Sequence, residues 1–208
     1  MPTTVKAKKK RSTSRSKTST PTLNYYKVFD SAKEPVYATD GSAGFDISCC
    51  LEEEFVTIYN LHNEPRRRDI VPWCPPGAEE EARAIHLNPG DRVMVPTGIV
   101  LDIPKGHYVR LFARSGLSLY SGLRLVNSVG IIDSDYKEQL YVLIENSSST
   151  VTSIADATRI CQGIMCKAET CKIEETTVIP ESTTRDGGFG STGTEEVTSE
   201  DKEATTDE

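Results

Sequence analysis

The sequence predicts an all-β fold, a sandwich or barrel of short strands with at most one short helix. Three observations support this prediction. β-Branched and aromatic residues recur in short runs, proline and glycine separate the runs, and the runs follow one another about every ten residues. A chain of 208 residues has room for one such domain with one core.

The predicted strands follow one another through the middle of the chain. The stretches DRVMVPTGIVLDIP (residues 91–104) and HYVRLFARS (residues 107–115) mix β-branched and aromatic residues between proline and glycine breaks. QLYVLIEN (residues 139–146) is an almost unbroken apolar run, which predicts a strand buried on both faces. TRICQGIM and CKIEETTVI (residues 158–165 and 171–179) continue the pattern. These runs predict antiparallel sheets rather than alternating strands and helices.

Residues 52–85 depart from this pattern. They contain clustered charges, closely spaced prolines and the only tryptophan, Trp73. We interpret them as a surface insertion with at most one short helical turn in AEEEARA (residues 78–84). Trp73 is then expected to pin the insertion to the surface of the domain.

Both ends of the chain lack apolar periodicity and carry opposite charge. The first twenty residues are basic and contain no acid, whereas residues 194–208 are acidic apart from Lys202. We expect disordered arms at residues 1–22 and 194–208, around a domain that covers residues 23–180. The basic run KAKKKR begins at Lys6 and ends at Arg11; it is typical of a nuclear import signal, a nucleic-acid-binding arm or a solubilising tail.

Neither a membrane segment nor a metal-binding cysteine motif is evident in the sequence. No apolar run reaches the length of a membrane span, and the start has no hydrophobic signal segment, which predicts a soluble intracellular protein. The six cysteines form no CxxC pair and have no Cys/His partner at zinc-finger spacing. We expect them to be small buried apolar residues.

A glycine-rich stretch, RDGGFGSTG (residues 185–193), precedes the acidic tail. Its GxGxxG spelling lacks the following helix that a dinucleotide-binding turn requires. Successive backbone N–H groups without bulky side chains can still hold a phosphate, and Phe189 offers a flat face for a base. The stretch is therefore expected to form a lid over a nucleotide, at residues 181–193.

Five stretches in a fixed order carry a family resemblance: SAGFDI (42–47), ARSGLSL (113–119), NSVGIIDSDYKEQL (127–140), RICQGIM (159–165) and RDGGFGSTG. Together they resemble the five motifs of the trimeric dUTPases, from about Tyr37 to Gly193. The resemblance implies a distorted jelly-roll or β-clip barrel that assembles as a homotrimer with shared active sites. It also implies Mg²⁺-dependent hydrolysis of dUTP to dUMP and pyrophosphate, which limits uracil in DNA and supplies dUMP for thymidylate synthesis.

The resemblance assigns roles to individual residues. Asp133 matches the carboxylate that activates water, although an aspartate after a strand is also a common turn residue. Tyr136 matches the tyrosine that packs on deoxyribose, and Asp46 matches an aspartate that reaches Mg²⁺ through water or is purely structural. The remaining substrate-binding positions fall into three groups: Arg114, Ser115, Gly116 and Gln162 for phosphate; Asn127 and Gly130 for uracil; and Arg185, Phe189, Gly190, Ser191 and Thr192 in the closing arm.

Three departures from the family pattern leave alternatives open. Glu138 replaces a glycine, Thr158 replaces an acid, and the stretch from Arg185 to Phe189 is one residue shorter than usual. A related dCTP deaminase would need a glutamate base, and Glu138 is the only glutamate near the motif. A regulatory binder on the same scaffold is the other alternative, with the insertion or the charged ends contacting a partner.

Overall fold

The computed structural model describes residues 20–74, 77 and 79–179. Within them the chain forms fourteen strands and one helix: β1 (Asn24–Lys27), β2 (Phe45–Ser48), β3 (Phe55–Tyr59), β4 (Pro65–Asp69), β5 (Val71–Trp73), β6 (Ala82–Leu87), β7 (Arg92–Pro96), β8 (Ile99–Asp102), β9 (His107–Ala113), α1 (Ser115–Tyr120), β10 (Leu123–Leu125), β11 (Val129–Ile132), β12 (Tyr141–Asn146), β13 (Thr152–Ala155) and β14 (Arg159–Lys167). The predicted all-β fold with one short helix is confirmed.

The strands form four antiparallel sheets. The two larger ones have the orders β10-β12-β7-β3-β4 and β11-β9-β14-β2, and the smaller ones are β13-β6-β5 and β1-β8. Aliphatic side chains from both larger sheets, such as Ile58, Ile144 and Leu111, belong to one buried cluster. Each such side chain contributes about 1.5–3 kcal/mol on burial. This core holds β9, β11 and β14 in a fixed register.

The chain divides into two units, Met1–Glu169 and Thr170–Glu208. Among the described residues, every strand and the helix lie in the first unit. In the second, residues 171–179 contain no strand, and Ile173, Val178 and Ile179 are exposed. The prediction of a strand in this stretch is therefore wrong. Its apolar residues lack the neighbouring strand on which the alternating pattern depends.

Two predictions about burial need correction. β12 is not buried on both faces, because Val142 and Ile144 are buried while Leu143 between them is 36% exposed. Leu143 pairs with Met94, which is also exposed, so the outer face of this sheet is apolar. Continuous apolar sequence here reflects an uncovered apolar face rather than a doubly buried strand.

The interpretation of residues 52–85 as a surface insertion is wrong in part. Alternate residues of β3 enter the core through Val56 and Ile58, and Ile85 of β6 is also buried. The clustered charges that suggested an insertion lie on β4, an exposed edge strand. Trp73 packs edge-to-face on His86, with ring centroids 6.0 Å apart, and is half-buried.

The predicted helical turn at residues 78–84 is also wrong. β6 begins at Ala82, and Glu79 to Glu81 are not helical. The helix α1 lies instead directly after β9, where the tight antiparallel ladder ends. Among the described residues, no helix has the length and apolar character needed to cross a bilayer.

The cysteines divide between core and surface. Cys49, Cys50 and Cys161 are buried as predicted, and burial raises the pKa of the Cys49 and Cys161 thiols to about 12. The prediction is wrong for Cys74 and Cys171, which are exposed, and for the half-buried Cys166. Cys166 lies near the end of β14, where it pairs with Tyr108, whereas Cys74 and Cys171 lie outside the strands.

Gly98, between β7 and β8, has a φ of 68°, and a Cβ there would lie 2.8 Å from the Cβ of Cys50. We expect Gly98→Ala to lower the free energy of unfolding by about 2–4 kcal/mol, since it adds overpacking to backbone strain. Gly106→Ala is the matched control, because its φ is 81° but its Cβ would meet no described atom within 4 Å. Denaturation at equal protomer concentration measures both; equal losses would contradict the overpacking.

Candidate active site

Three predicted site residues meet at a buried carboxylate. Asp46 lies in β2 with a side chain that is 2% exposed. Its Oδ1 accepts hydrogen bonds from Arg114 Nε at 3.1 Å and from Gln162 Nε2 at 3.2 Å, and its Oδ2 accepts one from Arg159 Nη1 at 2.9 Å. The three donors satisfy a charge that would otherwise be costly to bury. We call Asp46, Arg114, Arg159 and Gln162 the cationic cluster.

A bulge in β14 explains why Arg159 joins this cluster. The register with β2 shifts between Arg159 and Cys161, so that Cys161 pairs with Ile47 and Gln162 with Asp46. In a regular strand, residues three apart point to opposite faces. The extra residue of a bulge reverses that alternation, and both Arg159 and Gln162 reach Asp46.

Ser115 and Gly116 begin α1 immediately after Arg114. The first N–H groups of a helix have no acceptor within it, so these donors are available to a ligand. A Cβ on Gly116 would meet none of the described atoms within 4 Å, so packing within the protomer does not require glycine there. Both residues are exposed, and they directly follow Arg114 of the cationic cluster in the sequence.

Four other predicted residues line one pocket of about 270 Å³: Asn127, Gly130, Asp133 and Tyr136. The pocket lies beside the short turn that joins β10 to β11. These two strands are edge strands of different sheets, so the turn crosses from one sheet edge to the other. The walls of the pocket are otherwise mostly apolar, which is typical of a site for a flat organic ring.

The turn that enters this pocket is tight. Ser128 has a φ of 59°, and the Val129 N–H donates to the carbonyl of Asn127 two residues earlier. Gly130 pairs with Leu111, and a Cβ on it would lie 3.1 Å from the Leu111 Cβ. The backbone therefore comes close to both the pocket and the core.

Asp133 and Tyr136 stand at the end of β11. Asp133 is exposed, and its backbone carbonyl accepts the Tyr136 N–H at 3.2 Å. The Tyr136 hydroxyl donates to the Gln139 carbonyl at 2.8 Å, which fixes the ring. Burial raises the pKa of this hydroxyl, and the Glu138 carboxylate adds to the rise, so Tyr136 is neutral at pH 7.

The cationic cluster and the carboxylate of Asp133 lie at opposite ends of one ladder. Asp133 follows Ile132, which pairs with Val109 at the start of β9, whereas Arg114 follows Ala113 at its end. At about 3.3 Å per residue, the two positions are about 20 Å apart. One protomer therefore does not bring Asp133 to the side chains that are predicted to bind phosphate.

The structure adds residues that the motifs did not identify. Arg159 was missed as a site residue because nothing in the sequence reveals the bulge. Tyr141 and Leu143 of β12 and Met94 of β7 also line the pocket, and their apolar runs do not distinguish them from core residues. Arg185, Phe189, Gly190, Ser191 and Thr192 lie outside the described residues.

Thr158 and Glu138, the two departures from the family pattern that lie within the described residues, can be placed in the structure. Thr158 is hydrogen-bonded through its backbone, its N–H to Ala155 and its carbonyl to Cys49. Arg159 finds its acidic partner in Asp46, despite the absence of an acid at position 158. Glu138 is exposed and does not line the pocket.

Comparison with known proteins gives a consistent result. A family model described as dUTPase matches residues 81–193. The deoxyuridine 5'-triphosphate nucleotidohydrolase of Finegoldia magna is 34% identical over 159 residues, which cover 76% of this chain and 90% of the relative. The enzyme of the same name from Brucella melitensis biotype 2 is 36% identical over 160 residues, covering 77% and 84%.

Solved structures show the same fold. A mutant dUTPase of Staphylococcus bacteriophage 80alpha with dUpNHpp matches with a TM-score of 0.60 and 19% identity, covering 84% of this chain and 99% of the phage chain. The dUTPase of Streptococcus mutans matches with a TM-score of 0.51 and 20% identity, covering 71% and 98%. The family resemblance of the five motifs is thereby confirmed, and the chain belongs to the dUTPase family.

Proposed function

We propose that the protein hydrolyses dUTP to dUMP and pyrophosphate in active sites shared between the subunits of a homotrimer. The observation that carries this proposal is the pairing of an apolar pocket, with Asp133 at its edge, and a separate cluster of cationic donors. A pyrimidine nucleoside triphosphate has a flat base that suits the apolar pocket and a charged triphosphate that suits the cationic donors. The product dUMP feeds thymidylate synthesis, and removal of dUTP limits uracil in DNA.

In the proposed reaction, the carboxylate of Asp133 orients a water molecule towards the α-phosphorus and accepts its proton. The new bond joins the water oxygen to the α-phosphorus, and the bond from that phosphorus to the α,β-bridging oxygen breaks. Pyrophosphate leaves with the electron pair. Asp133 is exposed and sits at the edge of the pocket, so its carboxylate is suited to this role.

Recognition of the base is assigned to the segment from Arg124 to Ile131, which contains the tight turn at Ser128. Asn127 and the backbone groups of this turn can pair with the edge of uracil and leave cytosine unpaired. The short distance from Gly130 to Leu111 keeps the turn in place against the core. The tight turn also leaves no room for the 5-methyl group of thymine.

The triphosphate is assigned to the donors of Arg114, Ser115, Gly116 and Gln162. The closing arm at residues 181–193 would add Arg185, Ser191 and Thr192 to phosphate, with Phe189 stacked on the base and Gly190 close to it. Lid closure of this kind excludes water from the reacting groups. The one departure from the family pattern in the arm is the shorter stretch from Arg185 to Phe189, which alters the position from which Arg185 would contact the phosphates.

Magnesium fits this site through the substrate rather than through a protein cage. No group of three acidic, histidine or cysteine side chains meets within the described residues, and both oxygens of Asp46 already accept hydrogen bonds. Phosphate oxygens and water are the ligands that Mg²⁺ prefers, with Asp46 in reach through water. When bound, the ion would neutralise charge on the phosphates.

The separation within one protomer supports active sites that are shared between subunits, and the family resemblance makes the proposed assembly a homotrimer. A nucleotide cannot span the distance of about 20 Å between Asp133 and Arg114 with its α-phosphate near both. A neighbouring subunit would bring the missing half. The exposed apolar residues Met94, Ile131 and Leu143, which also line the pocket, offer a surface for that contact.

Release of pyrophosphate tests the function directly. With Mg²⁺, we expect turnover of dUTP and little turnover of dCTP, dTTP or UTP. Ammonia released from dCTP would instead support deamination, which the position of Glu138 outside the pocket does not favour. Binding of dUTP without turnover would support a regulatory binder.

Tyr136→Ala is expected to relax the discrimination against UTP by about 10- to 100-fold in kcat/KM. The flat ring would no longer exclude a 2′-hydroxyl, and one steric contact in a closed pocket has an effect of this size. The control is Tyr120→Ala, because Tyr120 is an exposed tyrosine on α1 outside the pocket. An unchanged ratio of dUTP to UTP turnover would contradict the role of Tyr136.

The basic run from Lys6 to Arg11 lies outside the described residues, as do residues 1–19 as a whole. We propose it as an import signal. A reporter fused to residues 1–22 should enter the nucleus of a eukaryotic cell, and a version with these cations replaced by glutamine should not.

A further inference from the structure

We infer that Arg159 is a positioning residue that keeps the guanidinium of Arg114 free for the triphosphate. The inference rests on the proposed function. It starts from the arrangement around Asp46, where one buried carboxylate is shared by two arginines through different oxygens.

Charge is the first step of the argument. Two guanidinium groups and one carboxylate leave the cationic cluster with a net positive charge of about one. If Arg114 were the only arginine beside Asp46, the pair would be neutral. A neutral pair attracts a highly charged triphosphate much less than a cationic one does.

Geometry is the second step. Arg114 uses Nε on Asp46 Oδ1, and its Nη1 donates to the backbone carbonyl of Arg159 at 3.3 Å. A guanidinium has five N–H donors, so three of those of Arg114 have no acceptor among the described residues. The two contacts lie on different sides of the group and leave both hydrogens of Nη2 and one hydrogen of Nη1 free of acceptors in the described part of the chain.

Competition for Asp46 is the third step. Arg114 binds Asp46 through Nε only, and the other oxygen, Oδ2, is held by Arg159 at 2.9 Å. Without Arg159, Oδ2 loses its charged partner and becomes available for a two-nitrogen contact with Nε and Nη2 of Arg114, which is the geometry that arginine prefers on a carboxylate. The Nη2 group of Arg114 would then turn towards Asp46 and away from the substrate.

Arg159 itself is held at one nitrogen, with a side chain that is 49% exposed. The β14 bulge supplies both of its contacts, the guanidinium to Asp46 and the carbonyl to Arg114. Thr158, the residue before Arg159, carries no charge that would compete with Asp46. Asp46 is thus the only acidic ion-pair partner of Arg159 among the described residues.

The test uses the full-length protein and its affinity for the imido analogue of dUTP and for dUMP, without Mg²⁺. We expect Arg159→Gln to weaken binding of the triphosphate analogue about 10- to 100-fold, because Arg114 would lose its charge-assisted contact with the phosphates. Affinity for dUMP, which depends on the pocket, should not change. Arg159→Lys should retain part of the triphosphate affinity. Arg66→Gln, on the exposed edge strand β4, is the matched control and should leave both affinities unchanged.

A double variant separates positioning from a structural role. In Asp46→Asn/Arg159→Gln, Arg114 loses the carboxylate that would capture it, so the triphosphate analogue should bind more tightly than to Arg159→Gln alone. A double variant that binds more weakly, a parallel loss of dUMP affinity, or no effect of Arg159→Gln would each overturn the inference. If the unmodified protein binds dUMP but not the analogue, the inference fails; if it releases no pyrophosphate from dUTP with Mg²⁺, the proposed function fails.

Discussion

Asp133→Asn is expected to lower kcat for dUTP about 10²- to 10⁴-fold, the range that a positioned general base contributes. Asparagine has nearly the same shape as aspartate, so the turn after β11 should keep its hydrogen bond to Tyr136. The amide cannot accept the proton of the attacking water. The chemical step should therefore slow while the bound nucleotide keeps its contacts.

Affinity provides the distinguishing measurement for this variant. Binding of the imido analogue of dUTP should be unchanged or tighter, because one negative charge near the phosphates has been removed. Asp135→Asn is the control, since Asp135 is also an exposed aspartate in the same turn but does not line the pocket. Comparable losses of turnover and affinity in Asp133→Asn would contradict the assigned role and indicate a damaged pocket.

Much of the pocket was predictable because its residues are close in sequence. Asn127, Gly130, Asp133 and Tyr136 fall within ten residues, and a tight turn followed by a short strand keeps them together. The side chains proposed to bind phosphate were predictable for another reason. Arg114 and Gln162 belong to the motifs ARSGLSL and RICQGIM, and the structure places Arg114 directly after β9 and pairs Gln162 with Asp46.

The features that the sequence did not reveal depend on long-range geometry. A bulge has no local signature in RICQ, so the contact of Arg159 with Asp46 emerges only from the pairing of β14 with β2. The clustered charges of β4 concealed that β3 beside it supplies core residues. The apolar run of β12 suggested burial, because sequence does not distinguish a core face from an uncovered apolar one.

Mixing two inactive variants is expected to restore activity, which is the strongest test of a shared site. Arg114→Gln should lose triphosphate binding and Asp133→Asn should lose the water-activating group, so each homotrimer should be nearly inactive. If the site draws Arg114 from one subunit and Asp133 from another, randomly mixed trimers contain sites with both residues intact. With equal amounts, about one quarter of the sites should be complete.

The measurement is pyrophosphate release after the two variants are unfolded together and refolded, compared with each variant refolded alone. The control mixes the unmodified protein with the double variant Arg114→Gln/Asp133→Asn, in which a shared site is also complete in about one quarter of cases. A site confined to one protomer would instead give no activity in the first mixture and about half in the control. The ratio of pyrophosphate release in the first mixture to that in the control therefore shows whether one site needs two chains. Two chains are expected because Asp133 and Arg114 lie about 20 Å apart along the β9–β11 ladder. Activity in the control without activity in the first mixture would refute the shared site.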